Sequence, residues 1–151
     1  MITSSNQLKA KVRNISKGSN DVARAYIRIF FMERFLERVS HSEYKDQFIL
    51  KGGMLAASLL GIDMRSTMDI DTTVKALSLT VDDISTDDEI TPRAIEYDYR
   101  LMFEERTIML FSYNVETLLA EKLQTVLARN VANTRMRDFF DIYSIYSVSC
   151  A

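Results

Sequence analysis

Residues 48–53 read FILKGG, and residues 68–74, farther along the chain, read MDIDTTV. The run from Gln47 to Leu50 predicts a short buried strand, which the glycine pair ends. Residues 54–60 then suit a short helix. In residues 68–74, apolar and acidic side chains alternate before β-branched residues follow, and this pattern predicts a second strand. The stretch therefore predicts a strand, a glycine turn, a helix and another strand, in that order.

Apolar side chains repeat every three to four residues in three other segments, as the buried faces of helices require. The first segment predicts a long helix over about residues 20–40, capped by Asn20 or Asp21. The other two predict a pair of helices over about residues 114–147, with Asn114 as the cap of the first. We expect four aromatic side chains of the last helix to lie in the core: Phe139, Phe140, Tyr143 and Tyr146.

Residues 96–103 and 107–113 predict two further strands, which a tight Glu104-Glu105 turn joins in an antiparallel hairpin. Together with the helices, these strands predict an α+β fold in which helices pack on a small mixed or antiparallel sheet. A chain of 151 residues can bury a core of its own. We therefore expect residues 1–151 to form a single domain.

The composition excludes several classes of protein. With 47% apolar and 26% charged residues, the chain is not disordered, and the single His and single Cys argue against a structural zinc site. Glycine and proline are too scarce for a β-barrel or sandwich that is rich in tight turns. No apolar run reaches the roughly 18 residues of a membrane span. We expect a cytoplasmic protein without a membrane partner.

Two features of the central stretch predict chemistry. Asp69 and Asp71 lie two residues apart on the predicted strand, so both carboxylates project from the same face and repel each other unless a cation lies between them. Mg²⁺ is the usual cation for such a pair. Gly52 and Gly53 lie at a strand-to-helix turn, where backbone N–H groups can approach a triphosphate closely. Each feature alone also fits an ordinary strand face or turn, but together they predict metal-assisted phosphoryl or nucleotidyl transfer.

Three charged residues of the C-terminal helices are further candidates. Lys122 lies within the apolar stripe of its helix, where it either serves the site or extends its amine to the surface. Asp138 and Asp141 lie three residues apart and share one side of the last helix. The alternative to a role in the site is a structural ion-pair network.

Four blocks of sequence resemble the AbiEii/AbiGii-type toxin nucleotidyltransferases, which belong to the DNA polymerase β-like superfamily. They are residues 48–53, 65–71, 120–123 and 135–143. The resemblance implies a nucleotidyltransferase-like core and a toxin of a type IV toxin–antitoxin or abortive-infection system. It also implies transfer of a nucleoside monophosphate from an NTP, with two Mg²⁺ ions, to an acceptor such as a tRNA-like RNA end. A cognate antitoxin is the implied partner.

The same resemblance implies a role for individual residues. The implied metal ligands are Asp69, Asp71 and Asp83, with Asp82 as the second choice for the third carboxylate. The implied catalytic residues are these three together with Lys122 and Asp138. The implied nucleotide-binding residues are Lys51, Gly52, Gly53, Thr67, Lys122 and Asp141. Lys122 would neutralise phosphate charge.

The chain departs from the family in two places. Members continue beyond the last motif into a largely helical C-terminal region, whereas this sequence stops at Ala151. Members usually have several tens of residues between the Asp-x-Asp strand and the strand with the third carboxylate, whereas 11 residues separate Asp71 from Asp83 here. Either the chain is a naturally reduced member, or the sequence joins two segments that flank a further stretch. The alternative function is accordingly a catalytically inactive, shortened remnant that binds a nucleotide, an RNA or the antitoxin.

Charge is unevenly distributed along the chain. Residues 1–65 hold 11 basic and 6 acidic side chains, whereas residues 66–105 hold 3 and 11. Such an acidic centre would repel RNA unless a positive surface nearby steered it. Five basic side chains predict such a surface: Arg24, Arg28, Arg34, Arg38 and Lys51. The alternative is that they are solvated or paired with acidic neighbours.

Overall fold

A computed structural model describes residues 2–61, 71–74, 84–85, 93–129 and 136–149 of the chain. Its helices are α1 (Ser5–Ser16), α2 (Asn20–Ser40), α3 (Gly52–Leu60), α4 (Val115–Arg129) and α5 (Met136–Ser149). Its strands are β1 (Phe48–Lys51), β2 (Asp71–Val74), β3 (Ile84–Ser85), β4 (Ile95–Arg100) and β5 (Thr107–Ser112). In the described part of the chain, no helix is long and apolar enough to cross a membrane.

The strands form one mixed sheet in the order β3-β2-β1-β5-β4. The central strand β1 pairs antiparallel with β2 and parallel with β5, and the predicted hairpin β4–β5 pairs antiparallel. The predicted α+β fold with a small mixed sheet is therefore confirmed. Ile49 and Leu50 of β1 point to opposite faces of the sheet, and both are almost fully buried in the apolar core, at 0% and 2% exposure.

Helices α2 to α5 all contribute to one apolar core with the central strands. Ile29 and Leu36 of α2, Met54 and Leu55 of α3, Leu118 of α4 and Ile145 of α5 are buried in the same cluster as Tyr99, Ile108 and Leu110 of the hairpin. Asn114 caps α4 as predicted, because its Oδ1 accepts a hydrogen bond of 2.8 Å from the Thr117 N–H. The short helix α3 begins directly at the glycine pair.

Two features near the N-terminus differ from the sequence-based expectation. Helix α1 was not predicted, because its sequence is mostly polar and Val12 is its one buried apolar residue. The N-cap of α2 is Ser19 rather than Asn20 or Asp21, since the Ser19 Oγ accepts from the Val22 N–H at 3.4 Å. Both residues named as caps lie inside the helix, one and two positions after the observed cap.

The expectation for the aromatic side chains of α5 is wrong. Phe139 is 47% exposed, Phe140 42%, Tyr143 73% and Tyr146 62%. The opposite face of the helix is turned inward, with Asp138, Asp141 and Ile145 buried. On this inward face, the two aspartates contact Lys122 of α4, and Ile145 lies in the apolar core. The buried face of α5 thus combines an ion-pair contact with an apolar one.

Candidate active site

The glycine turn between β1 and α3 has a backbone that requires glycine. Lys51 is extended, with φ −142° and ψ −169°, and Gly52 has φ +57°, in the left-handed region. A residue with a Cβ is strained there, so the glycine lets the chain pass from the strand into the helix within one residue. The first turn of a helix presents N–H groups that have no partner within the helix, and its dipole favours an anion.

The register of the sheet places the Asp-x-Asp strand beside this turn. Asp71, the first residue of β2, lies directly opposite Lys51 of β1. Opposed residues in an antiparallel pair are about 5 Å apart between their Cα atoms. The backbone of Asp71 is therefore next to the position where the glycine turn begins. Four other predicted site residues lie outside the described residues: Thr67, Asp69, Asp82 and Asp83.

Lys51 connects the turn to α4. Its side chain is 13% exposed, and its Nζ lies 3.5 Å from the Glu121 Oε1 and 5.7 Å from the centre of the Tyr113 ring. The Tyr113 N–H donates to the Leu50 carbonyl at 3.0 Å, which extends the pairing of β5 with β1. Lys51, the glycine turn and α4 thus form one connected unit. Sequence analysis did not single out Glu121, although it lies in the block 120–123 beside Lys122.

Lys122 lies between the two C-terminal helices, in contact with both predicted aspartates. Its Nζ is 2.6 Å from the Asp141 Oδ2 and 3.6 Å from the Asp138 Oδ1. The lysine is 7% exposed, so the alternative of an amine that extends to the surface is wrong. Asp141 is fully buried at 0% exposure, and the Asp138 Oδ2 is buried without a hydrogen-bond partner in the described structure. The geometry is that of a buried ion-pair network between α4 and α5.

A protein-family model described as "Nucleotidyl transferase AbiEii toxin, Type IV TA system" matches the chain over residues 34–83 and 75–151. These two stretches include most of the chain. The chain belongs to the AbiEii family of toxin nucleotidyltransferases. This confirms the resemblance found in the sequence. No curated protein and no solved structure matches the chain significantly.

The AbiEii match consists of two stretches that overlap at residues 75–83. The overlap lies within the short connection between the Asp-x-Asp strand and the candidate third carboxylate. The first stretch contains β1, the glycine turn, α3 and β2. The second stretch contains the hairpin, α4 and α5. The structure joins the two stretches through the pairing of β1 with β5 and through the ion pair of Lys51 with Glu121.

The residues around the turn fit in part the Mg²⁺ that the resemblance to the AbiEii family implies. Oxygen atoms of carboxylates are the ligands that this cation prefers, and Asp71 begins β2 beside the turn. Asp138 and Asp141 are already paired with Lys122, so they are poor candidates. In residues 2–61, 93–129 and 136–149, no group of three or more metal-binding side chains is assembled. The donor type fits at Asp71, and the remaining donors would be Asp69 and Asp83.

The predicted positive surface of this AbiEii chain is partly neutralised. Arg34 is paired with Glu37 at 2.8 Å and with Glu104 at 3.5 Å, and its side chain is 20% exposed. Arg24 lies 4.0 Å from Asp21, and this pair is exposed. The alternative stated for these basic residues, that they are solvated or paired with acidic neighbours, therefore describes Arg24, Arg34 and Lys51.

A third buried acid in the AbiEii chain was not predicted to be buried. Glu33 of α2 is 1% exposed, and its Oε1 accepts from the Met102 N–H at 2.9 Å and from the Tyr99 hydroxyl at 3.4 Å. Burial raises the pKa of Glu33 to about 7, although the Met102 N–H, Arg34 and Tyr99 oppose the shift. Burial and the neighbouring Glu33 also raise the pKa of Tyr99. The sequence signal was a glutamate at a spacing of three residues from both Phe30 and Leu36.

Proposed function

We propose that this chain transfers a nucleoside monophosphate from an NTP to an acceptor hydroxyl in the cytoplasm, which breaks the bond between the α- and β-phosphates and releases pyrophosphate. The AbiEii family supplies the reaction class. The observation that supports a site at the glycine turn is the register of β1 and β2, in which Asp71 lies opposite Lys51. This register brings the start of an acidic strand, a lysine and a helix N-terminus together where β1 ends and β2 begins. Those are the groups that a metal-bound triphosphate needs.

In this proposal, the glycine turn and the first turn of α3 bind the phosphates through backbone N–H groups. Lys51 adds positive charge, and Glu121 and Tyr113 orient its amine. Asp69 and Asp71 hold the divalent cation, with Asp83 as a third ligand. When bound, Mg²⁺ neutralises phosphate charge and lowers the pKa of the attacking hydroxyl.

The ion pairs of Lys122 suggest a positioning role rather than a direct phosphate contact. A phosphate would have to compete with two carboxylates, at 2.6 Å and 3.6 Å, for the same amine. Glu121 is the neighbouring residue of Lys122 in α4. The ion pairs of Lys122 therefore hold in place the part of α4 whose Glu121 orients Lys51. Asp138 and Asp141 then act on the site through α4 rather than as metal ligands.

An RNA end is the proposed acceptor, and a cognate antitoxin is the proposed partner. Both rest on the AbiEii family and not on a surface of this chain, because Arg34 and Lys51 are already paired. The experiment that tests this function therefore uses total RNA, and the molecule that takes up the label identifies the acceptor.

The full chain would be incubated with each labelled NTP, Mg²⁺ and total RNA, and RNA and protein would then be separated. Transfer of label is expected for at least one NTP. The Asp69→Asn and Asp71→Asn variants should lose it, while Asp98→Asn, on the exposed face of β4, should keep it. Equal labelling by the wild type and the Asp69→Asn variant would contradict the proposal.

The second candidate function is that of an inactive remnant that binds nucleotide, RNA or antitoxin. It is favoured by the 11 residues between Asp71 and Asp83 and by the family match in two stretches. A Mg²⁺-NTP complex that raises the melting temperature without any transfer of label would support this candidate. Transfer that depends on Asp69 would exclude it.

A further inference from the structure

Helix α5 has an exposed apolar face, which we call the aromatic stripe. Its members recur at spacings of three and four residues, so they lie side by side along one face of the helix. They are Met136 (75% exposed), Phe139 (47%), Phe140 (42%), Tyr143 (73%) and Tyr146 (62%). A helix on a protein surface normally shows the reverse arrangement, with charged side chains outward and apolar side chains inward.

The size of the aromatic stripe is that of the apolar part of a protein–protein interface. With roughly 150–250 Å² for each aromatic side chain, the exposed fractions leave about 350–550 Å² of the four rings in water. A specific interface of ordinary size buries about 800 Å² on each partner, and slightly more than half of that is apolar, or roughly 450 Å². The stripe therefore supplies the apolar centre of such an interface without any change in the fold.

The charges around the stripe favour a second copy of the chain as the occupant. The two acidic residues of α5, Asp138 and Asp141, are buried and paired with Lys122, so no carboxylate of this helix projects from the stripe. Arg137 is the remaining charged residue of α5, and it is exposed but not one of the five positions of the stripe. Two identical stripes can thus meet without like charges among their own side chains. Single-stranded RNA also stacks on aromatic side chains, but it needs basic side chains that follow the phosphates. Arg137 is the only basic residue of α5, and none of the five positions of the stripe is lysine or arginine.

We propose that the aromatic stripe of α5 is a homodimer interface. In a dimer with two-fold symmetry the same patch is used by both copies, so the two α5 helices pack against each other. Antiparallel packing centred on the stripe places Tyr143, near its middle, beside its own symmetry mate. Phenylalanine, tyrosine and methionine are also the residue types that are enriched in the centres of interfaces.

The first test is the mass of the full chain in solution, measured by light scattering over a wide range of concentration. The wild type should approach twice the monomer mass of 17.4 kDa as concentration rises. Tyr143→Glu places two like charges at the centre of the interface, and this variant should remain a monomer. Tyr44→Glu is the matched control, because Tyr44 is 46% exposed and lies outside the stripe, and it should still dimerise. Circular dichroism would show whether both variants are folded.

The second test does not depend on a destabilising charge. A Tyr143→Cys variant in a Cys150→Ser background should form an intermolecular disulfide under mild oxidation, whereas Tyr44→Cys in the same background should not. A wild type that stays a monomer at all concentrations would overturn the proposal, and so would a dimer that persists in a folded Tyr143→Glu variant. A monomer that binds single-stranded RNA through Tyr143 would overturn it in favour of a stacking surface.

Discussion

Asp141 and Glu33 are both almost completely buried, at 0% and 1% exposure, but their surroundings differ. Asp141 lies 2.6 Å from the ammonium group of Lys122. Glu33 receives a backbone N–H and a phenol hydroxyl, and its Oε2 has no hydrogen-bond partner in the described structure. The first acid thus depends on an opposite charge. The second is held in a place where the protonated form is favoured, which raises its pKa to about 7.

The two acids also differ in what the sequence reveals about them. Asp141 lies in a block that resembles the AbiEii family, and it packs two C-terminal helices together through Lys122. Glu33 lies in no such block, and it joins α2 to the end of the β4–β5 hairpin. We therefore expect variants of the two residues to respond differently to neutral replacement and to pH.

The largest effect is expected for Asp141→Asn. The amide keeps the shape of the carboxylate but leaves Lys122 with Asp138 alone, at 3.6 Å. Removal of one partner from a buried pair costs about 3–5 kcal/mol, and the remaining partner places this variant near the lower end. Denaturation in urea would measure the loss. Asp98→Asn, on an exposed position of β4, is the control, and a loss below about 1 kcal/mol for Asp141→Asn would mean that the ion pair contributes little.

The next effect is expected for Glu33→Gln, and its sign depends on pH. The pKa of Glu33 is raised from 4.5 to about 7 in the folded state, so the folded chain holds a proton that the unfolded chain has lost between these values. Its contribution to stability is therefore complete below pH 4.5 and is lost as the pH rises towards 7. Glu33→Gln should remove this dependence and raise the stability at pH 8 by about 1–3 kcal/mol.

Urea denaturation at several pH values would test this prediction, with Glu43→Gln at an exposed position as the control. If the stability of Glu33→Gln depended on pH between 5 and 8 as strongly as the stability of the wild type, Glu33 would not be the titrating group.

A smaller effect on stability is expected for Glu121→Gln. Glu121 is 36% exposed, and such partly solvated pairs contribute about 0–1 kcal/mol. If the proposed site is correct, however, Lys51 loses the carboxylate that orients its amine. The KM for the NTP should then rise several-fold while the melting temperature changes little. An unchanged KM in a chain that transfers label would show that Glu121 does not position Lys51.

The smallest effect is expected for Tyr99→Phe, which removes one hydrogen bond of 3.4 Å to Glu33. A hydrogen bond of this length contributes at most about 1 kcal/mol. Because the Tyr99 hydroxyl lowers the pKa of Glu33, its loss should move the pH dependence of stability to slightly higher pH. A shift to lower pH would mean that the hydroxyl favours the protonated acid instead.

The sequence predicted the elements whose periodicity is local and unambiguous. The strand before the glycine pair, helix α3, the hairpin and α4 follow from runs of apolar residues and from caps such as Asn114. It did not predict α1, because the helix is polar and is held by packing on α2. For α5, the spacing indicated the stripe of Phe139 and Tyr143 correctly, but periodicity alone does not say which face is inward.

Long-range contacts were the part of the site that the sequence could not provide. Lys51 and Glu121 are distant in the chain, and only the fold brings them to 3.5 Å. Lys122 was recognised as unusual in the sequence because it interrupts an apolar stripe. In the structure, this position buries the lysine in contact with Asp138 and Asp141. Thr67, Asp69 and Asp83 lie outside the described residues, and the roles of all the proposed site residues stay predictions.

The parallel pairing of β1 with β5 has a consequence for synthesis and folding. It joins Ile49 to Phe111, so the central strand cannot gain its second neighbour until the hairpin has left the ribosome. Strands β1 and β2 can pair earlier, but one side of β1 then remains an open edge. Pairings over such distances form slowly, and open apolar edges promote aggregation. Chains that terminate before β5 should therefore be substrates for chaperones and proteases rather than folded fragments.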